Sequence, residues 1–156
     1  TATLSVFDLM YDDYSPILEE MKKRMKKISS FDSENLIATV IGDICASKQF
    51  GLLSFKFNYP LRKIVSPESI ADIEDRNFIL SPGTHCDFVI FDNLNKRIRL
   101  IVEVDGKQHE NDLQRKRDQR KDRIIKSSAI NMLRLKTTDV HVKEKIESLL
   151  SPRIPG

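Results

Sequence analysis

Residues 101–110 read IVEVDGKQHE: Glu103 and Asp105 stand two positions apart at the end of an apolar run, followed by Gly, Lys, Gln and His. Strand side chains alternate faces, so Val102 and Val104 share one face and Glu103 and Asp105 the other. Two carboxylates that close, in a partly buried place, repel unless a metal ion, a bound proton or an Arg or Lys lies between them. A third acid, Asp87, opens the run HCDFVIFD at 85–92, and NLNK at 93–96 reads as a short hairpin turn before RIRLIVEVD. Hairpin pairing sets the start of the first strand opposite the end of the second, so Asp87 faces the region of Glu103 and Asp105. Three oxygen donors at one sheet edge suit a hard divalent cation such as Mg2+ or Mn2+. The plain alternative is a set of solvated polar residues at a hairpin end.

Positive charge gathers around these acids. Formal net charge is only +3, yet residues 96–126 hold eleven Lys or Arg against six Asp or Glu. A basic surface flanking a small acidic site suits an enzyme that cleaves phosphodiesters, the cations holding the backbone and the acids a metal. A solvated helix laced with ion pairs at three- and four-residue spacing gives the same pattern.

The elements that must position the acids follow from apolar spacing. Residues 1–14 read as a leader, and Ser15-Pro16 opens a helix with Ile17, Met21, Met25 and Ile28 as a narrow apolar stripe. Its outer face carries Lys22, Lys23, Arg24, Lys26 and Lys27, which makes it an accessory helix on the main body or, alternatively, a DNA contact. A second helix is predicted over about 33–48, with Leu36, Ile37, Val40, Ile41 and Ile44 as its core face. LLSFKFNYPL then alternates as a strand with Leu53, Phe55 and Phe57 on one face. Residues 62–84 are irregular, with a short helix near 67–73. The strands HCDFVIFD and RIRLIVEVD are apolar on both faces, as central strands of a covered sheet are. Asn111 with Gln114 resembles a capping box for a helix running to about 127; INMLRLK is the next strand, and 139–150 the last helix. The predicted order is helix, strand, strand, strand, helix, strand, helix. Residues 1–30 form the leader and accessory helix, and 31–156 one α/β domain.

The composition, 40% hydrophobic and 31% charged over 156 residues, suits one soluble domain with its own core. No run is long and apolar enough to span a bilayer, and the N-terminus lacks the pattern of a signal peptide. A cytoplasmic location is expected. Cys45 and Cys86 sit among apolar neighbours, which argues against a disulfide framework or zinc cluster. The first residue is Thr1 rather than Met, so a piece of a longer polypeptide is also expected.

CDFVIFD, LIVEVDGKQH, DQRKDRII and NMLRLKTTDV, in this order, resemble the very-short-patch-repair-like endonuclease branch of the PD-(D/E)XK, or restriction-endonuclease-like, nuclease superfamily. The similarity covers roughly residues 33–150. It implies a core of helix, three strands, helix and strand, with a mixed central sheet flanked by helices. It also implies a Mg2+- or Mn2+-dependent deoxyribonuclease, endonuclease rather than exonuclease, of a kind that stands alone or is fused to or associated with a helicase or other ATPase. The chain departs from the superfamily pattern twice: Cys86 stands at the position of the Pro, which is not a ligand, and Asp105 at that of the Lys, where this branch often has an acid.

On this reading Asp87 and Glu103 hold the cation with the main-chain carbonyl of Val104, and the metal lowers the pKa of a bound water. Lys107 and Lys121 contact the scissile or a neighbouring phosphate and supply the positive charge missing at 105. His109 shuttles a proton or donates to phosphate, while Arg115, Arg117 and Arg120 grip the DNA backbone. Glu34 resembles the extra acid that many members place on the first core helix, or is a first-turn Glu favoured by the helix dipole. Asp105 binds the metal's water or a second cation, or else caps the helix or pairs with an Arg such as Arg117. His85 is read as structural and His141 as a surface residue. The rival function is a non-catalytic nucleic-acid-binding or assembly module on a nuclease fold.

Overall fold

The structure, a computed structural model, describes residues 32–105 and 111–151. The leader and accessory helix expected before residue 31, and Gly106, Lys107 and His109, lie outside the described residues.

The first element, α1 (Asp32–Ala46), buries Leu36, Ile37, Val40, Ile41 and Ile44, the stripe that its spacing dictates. Then follow β1 (Leu53–Pro60), two 3-10 turns (Leu61–Lys63 and Pro67–Ser69), α2 (Ile73–Leu80), β2 (His85–Asp92), β3 (Ile98–Asp105), α3 (Asp112–Ser127), β4 (Met132–Lys136) and α4 (Val142–Leu150). The four strands form one mixed sheet in the order β1-β2-β3-β4: the first two pairings are antiparallel, and β3 pairs parallel with β4. A parallel pair needs a crossover, which α3 supplies. Among the described residues, no helix is long and apolar enough to cross a membrane.

Cores lie on both faces of the sheet, as the two-sided apolar pattern of β2 and β3 requires. One joins α1 and α4 to Phe88, Ile90, Leu100, Val102, Val104 and Leu135. The other joins Ile124 and Ile125 of α3 and Ile79 of α2 to Val89 and Ile101. The β2–β3 turn closes through Asp92, whose Oδ1 accepts from the Leu94 and Asn95 amides at 2.8 and 3.3 Å, while Lys96 takes a left-handed φ of 61°.

Three predicted features need correction. Residues 62–84 are not merely irregular: they hold α2, an extra helix between β1 and β2. Only Ile79 of α2 is buried, so it lacks the apolar stripe by which helices are found, but Asp72 caps it by accepting from the Asp75 amide at 2.9 Å. Phe57 lies on the edge strand and is 47% exposed, unlike Leu53. The last helix starts three residues later than predicted, because the Asp139 carboxylate closes a turn on the Lys136 amide (2.8 Å) and His141 takes a left-handed φ of 55°.

The helix α3 begins where Asn111 Oδ1 accepts from the Gln114 amide at 2.7 Å. Only this half of the capping box forms, since the Gln114 side chain donates to Asp118 instead, at 3.0 Å. Asn111→Ala is expected to cost about 1 kcal/mol and to lower Tm by about 2–4 °C, read by calorimetry. An unchanged Tm would show that the cap contributes nothing to anchoring α3.

Candidate functional site

The β2–β3 ladder runs as far as the pair Phe88 and Val102. Beyond it, the strands exchange backbone bonds for side-chain bonds. The Asp87 amide donates to Glu103 Oε2 at 2.9 Å, and the Val104 amide donates to Asp87 Oδ2 at 2.8 Å. Opposite on β1, Asn58 takes a left-handed φ of 53° and breaks the alternation there. Tyr59 and its partner Cys86 accordingly pack on the α3 face, although odd-numbered Leu53 and Phe55 belong to the α1 face.

Glu103 is 2% exposed, so its charge needs a partner. Lys121 of α3 supplies it: Nζ lies 2.7 Å from Glu103 Oε1 and donates to the main-chain carbonyl of His85 at 2.9 Å. Burial pushes the Glu103 carboxyl up, Lys121 pulls it back, the Asp87 charge pushes it up again, and the group comes to about 7. Burial lowers Lys121, and the Glu103 carboxylate more than restores it, so its ammonium persists. The Cys86 thiol beside them is fully buried and pushed up to about 12, chiefly by burial.

Asp105 lies on the same face as Glu103, but its carboxylate is engaged elsewhere. Arg134 of β4, in register with Glu103, donates through Nη1 to Asp105 Oδ1 at 2.7 Å and through Nη2 to Asp122 of α3. The partner of Asp105 is therefore Arg134 rather than Arg117. In the sequence Arg134 has only a place in the NMLRLKTTDV resemblance and no role at the site, although a lone Arg between two Leu in a short strand must find a polar partner.

Asp87, Glu103, Val104, Asp105, Lys121 and Arg134 all line one open cleft of about 470 Å³, as does Glu34 from the first turn of α1. Phe78 of α2 forms another wall, and the Arg117 guanidinium stacks over its ring at 5.5 Å. The Thr84 hydroxyl, also bordering the cleft, is buried without a hydrogen-bond partner among the described residues. Two of the basic residues on α3 turn to α2: Arg120 meets Glu74 and Asp75 at 3.3 and 3.5 Å, and Arg123 meets Asp75 at 2.8 Å. Arg115 pairs with Asp112, one turn away and well exposed. Among the described residues, no group of three or more His, Cys, Asp or Glu is arranged to hold a metal ion; the two acids that remain together are Asp87 and Glu103.

Raising the Glu103 carboxyl above its ordinary value of 4.5 means that the folded protein holds a proton there which the unfolded chain has released. The stability this contributes is complete below about pH 4.5 and is lost as pH rises through about 7. The difference in unfolding free energy, wild type minus Glu103→Gln, should fall across that window with a slope of up to about 1.4 kcal/mol per pH unit. Urea denaturation at several pH values measures it, and a flat difference would show that Glu103 is ionised throughout.

No curated protein and no solved structure matches the chain. A family profile does, over residues 61–152, a span that takes in Asp87, Glu103, Lys121 and Arg134 and leaves out α1 with Glu34. On that match the chain belongs to the family described as "Protein of unknown function (DUF2726)".

Proposed function

We propose that the chain is a metal-dependent nuclease that hydrolyses phosphodiester bonds in DNA, on a restriction-endonuclease-like core of α1, β1 to β3, α3 and β4. The observation that carries the reading is a buried ammonium, Lys121, set 2.7 Å from Glu103 in an open cleft that Asp87 also lines. Buried charges are costly, and a chain that buries this pair at the wall of a cleft has placed them where a substrate can use them.

The donors fit Mg2+ or Mn2+. Asp87 and Glu103 offer carboxylate oxygens, Asp87 Oδ1 lies outside the bonds described above, and Mg2+ ordinarily takes only one or two carboxylates beside water and substrate phosphate. The bound ion would supply a water of lowered pKa and offset charge on the phosphate. Lys121, reaching Glu103 from the helix, then stands as the positive group that the superfamily pattern supplies with a strand Lys at the position of Asp105. Its ammonium has three protons; two are bound by Glu103 and His85, and the third is available to a phosphate oxygen. Arg134, fixed by Asp105 and Asp122, adds a second cation to the wall. Arg117 remains as a backbone contact at the rim, while the parts assigned to Arg115 and Arg120 are reduced by their ion pairs with Asp112 and with α2.

One observation favours the rival, a nucleic-acid-binding module without catalysis: Lys121 already neutralises Glu103, so the acids need no metal for stability. The two readings separate experimentally. The nuclease cleaves supercoiled, linear or single-stranded DNA with Mg2+ or Mn2+, and excess chelator stops it. Asp87→Asn and Glu103→Gln each lower cleavage by about 100-fold or more, and Lys121→Ala lowers the maximal rate at saturating metal by a similar factor, with DNA affinity retained in the carboxylate variants. Cleavage that persists in chelator sinks the metal mechanism, and binding without cleavage under every cation selects the rival. Asp105→Asn lowers Tm by releasing Arg134 but leaves the midpoint of the Mg2+ titration unmoved; a shifted midpoint would return Asp105 to the metal set.

A further inference from the structure

A second groove, of about 250 Å³, opens on the sheet away from the acidic cleft. Its floor is apolar: Tyr59 of β1, Val89 and Phe91 of β2, and Ile98 of β3. Its rim carries Lys56, Lys63 and Lys96. Each ammonium is held against an aromatic ring: Lys56 and Lys63 lie 5.7 and 5.8 Å from the centre of Tyr59, and Lys96 lies 5.9 Å from the centre of Phe91. Among the described residues none of the three pairs with a carboxylate, whereas the arginines of α3 described above do or stack at the cleft rim. Three uncompensated cations in one groove repel one another, and the rings offset only part of that cost. A polyanion would remove the rest.

We infer that this groove is a binding site for a single-stranded nucleic acid, its phosphates on the three lysines and a base or sugar face on the apolar floor. The chemistry selects among polyanions. An apolar floor between cations matches a strand that alternates phosphate with exposed base, as single strands do and closed duplexes do not. The groove is smaller than the roughly 300–1,000 Å³ of an ordinary small-ligand pocket and is open, so it suits one segment of a long chain rather than a whole ligand. Val89 and Phe91 continue the strand that carries Asp87, about 13 Å from Asp87 to Phe91 at the usual rise per residue. The same strand of nucleic acid could therefore reach both places. The inference rests on the nuclease reading for its choice of nucleic acid as the partner.

The test measures binding of a fluorescein-labelled single strand and of a blunt duplex by anisotropy, in chelator and over a salt series, for the full chain and for the triple variant Lys56→Gln, Lys63→Gln, Lys96→Gln. Each lost phosphate contact shallows the salt slope of a single strand by about 0.7, so the triple variant should lose about two units on the single strand and much less on the duplex. Restoring charge with Arg at the three positions should restore the slope, and an unshifted melting curve shows that all variants are folded. An unchanged slope overturns the groove. Equal loss on the duplex, or equal displacement of the strand by poly-glutamate or by anionic vesicles, overturns the single-strand assignment. A chain that never cleaves DNA yet loses slope in the triple variant keeps the groove and loses the nuclease reading. A chain that cleaves while its slope is unmoved does the reverse.

Discussion

Lys121 meets Glu103 where the β2–β3 ladder gives way, and most of the site's geometry depends on that contact. When the strands part beyond Phe88 and Val102, the Asp87 and Val104 amides lose strand partners, and the Glu103 and Asp87 carboxylates take them. That solution satisfies the backbone but brings two acids together with little solvent on one of them. A cation or a bound proton must offset that repulsion, and both take part here. Lys121 reaches Glu103 from α3, and its second bond, to the His85 carbonyl, ties the helix to the start of β2. Removing one partner of such a pair leaves a buried charge and typically costs about 3–5 kcal/mol. The position of α3 is therefore constrained by Ile124 and Ile125 in the core and by Lys121 at the acids, besides the ion pairs described next.

The cations near the acids divide into two sets. Arg134 joins Asp105 to Asp122, a fork between two carboxylates that fixes β4, β3 and α3 to one another. Arg120 and Arg123 serve α2, a helix with one buried apolar residue and hence little packing of its own. Ion pairs so exposed are individually weak, but α2 carries Phe78, whose ring backs Arg117 at the cleft. Much of the local excess of positive charge in residues 96–126 thus goes into construction. Among the described residues the cations that line the cleft are Lys121, Arg134 and Arg117, a smaller set than a count along the sequence implies.

The sheet and its principal helices were legible because their signals are periodic. Leu36, Ile37, Val40, Ile41 and Ile44 fall on one face at helical spacing, and the hairpin arithmetic around NLNK placed Asp87 against Glu103 within the correct pair. Asn111 and Gln114 marked the start of α3 to the residue. What stayed hidden depends on contacts between distant segments. The partner of Asp105 could not be read without the parallel register of β4, which sets Arg134 beside Glu103. The helix α2 has almost no apolar stripe, and its only local sign was Asp72 followed by acids in its first turn. Tyr59 changes face because Asn58 goes left-handed, an event that strict alternation forbids a reader to expect.

Carrying the cation that meets Glu103 on a helix rather than on a strand has a physical logic of its own. A Lys at position 105 would lie in register with Lys136 and next to Arg134, three cations at one corner of the sheet. An Asp there instead lets the half-buried Arg134 be held in a two-carboxylate fork. The ammonium then comes from α3, which packs on the same face through Ile124 and Ile125 and carries a side chain long enough for its head to meet Glu103. The charge at the site therefore depends on the docking of a helix rather than on strand pairing. Any shift of α3 would release Lys121 from Glu103 and leave the two acids to repel, so the same contact that completes the candidate site also reports whether the helix beside it is in place.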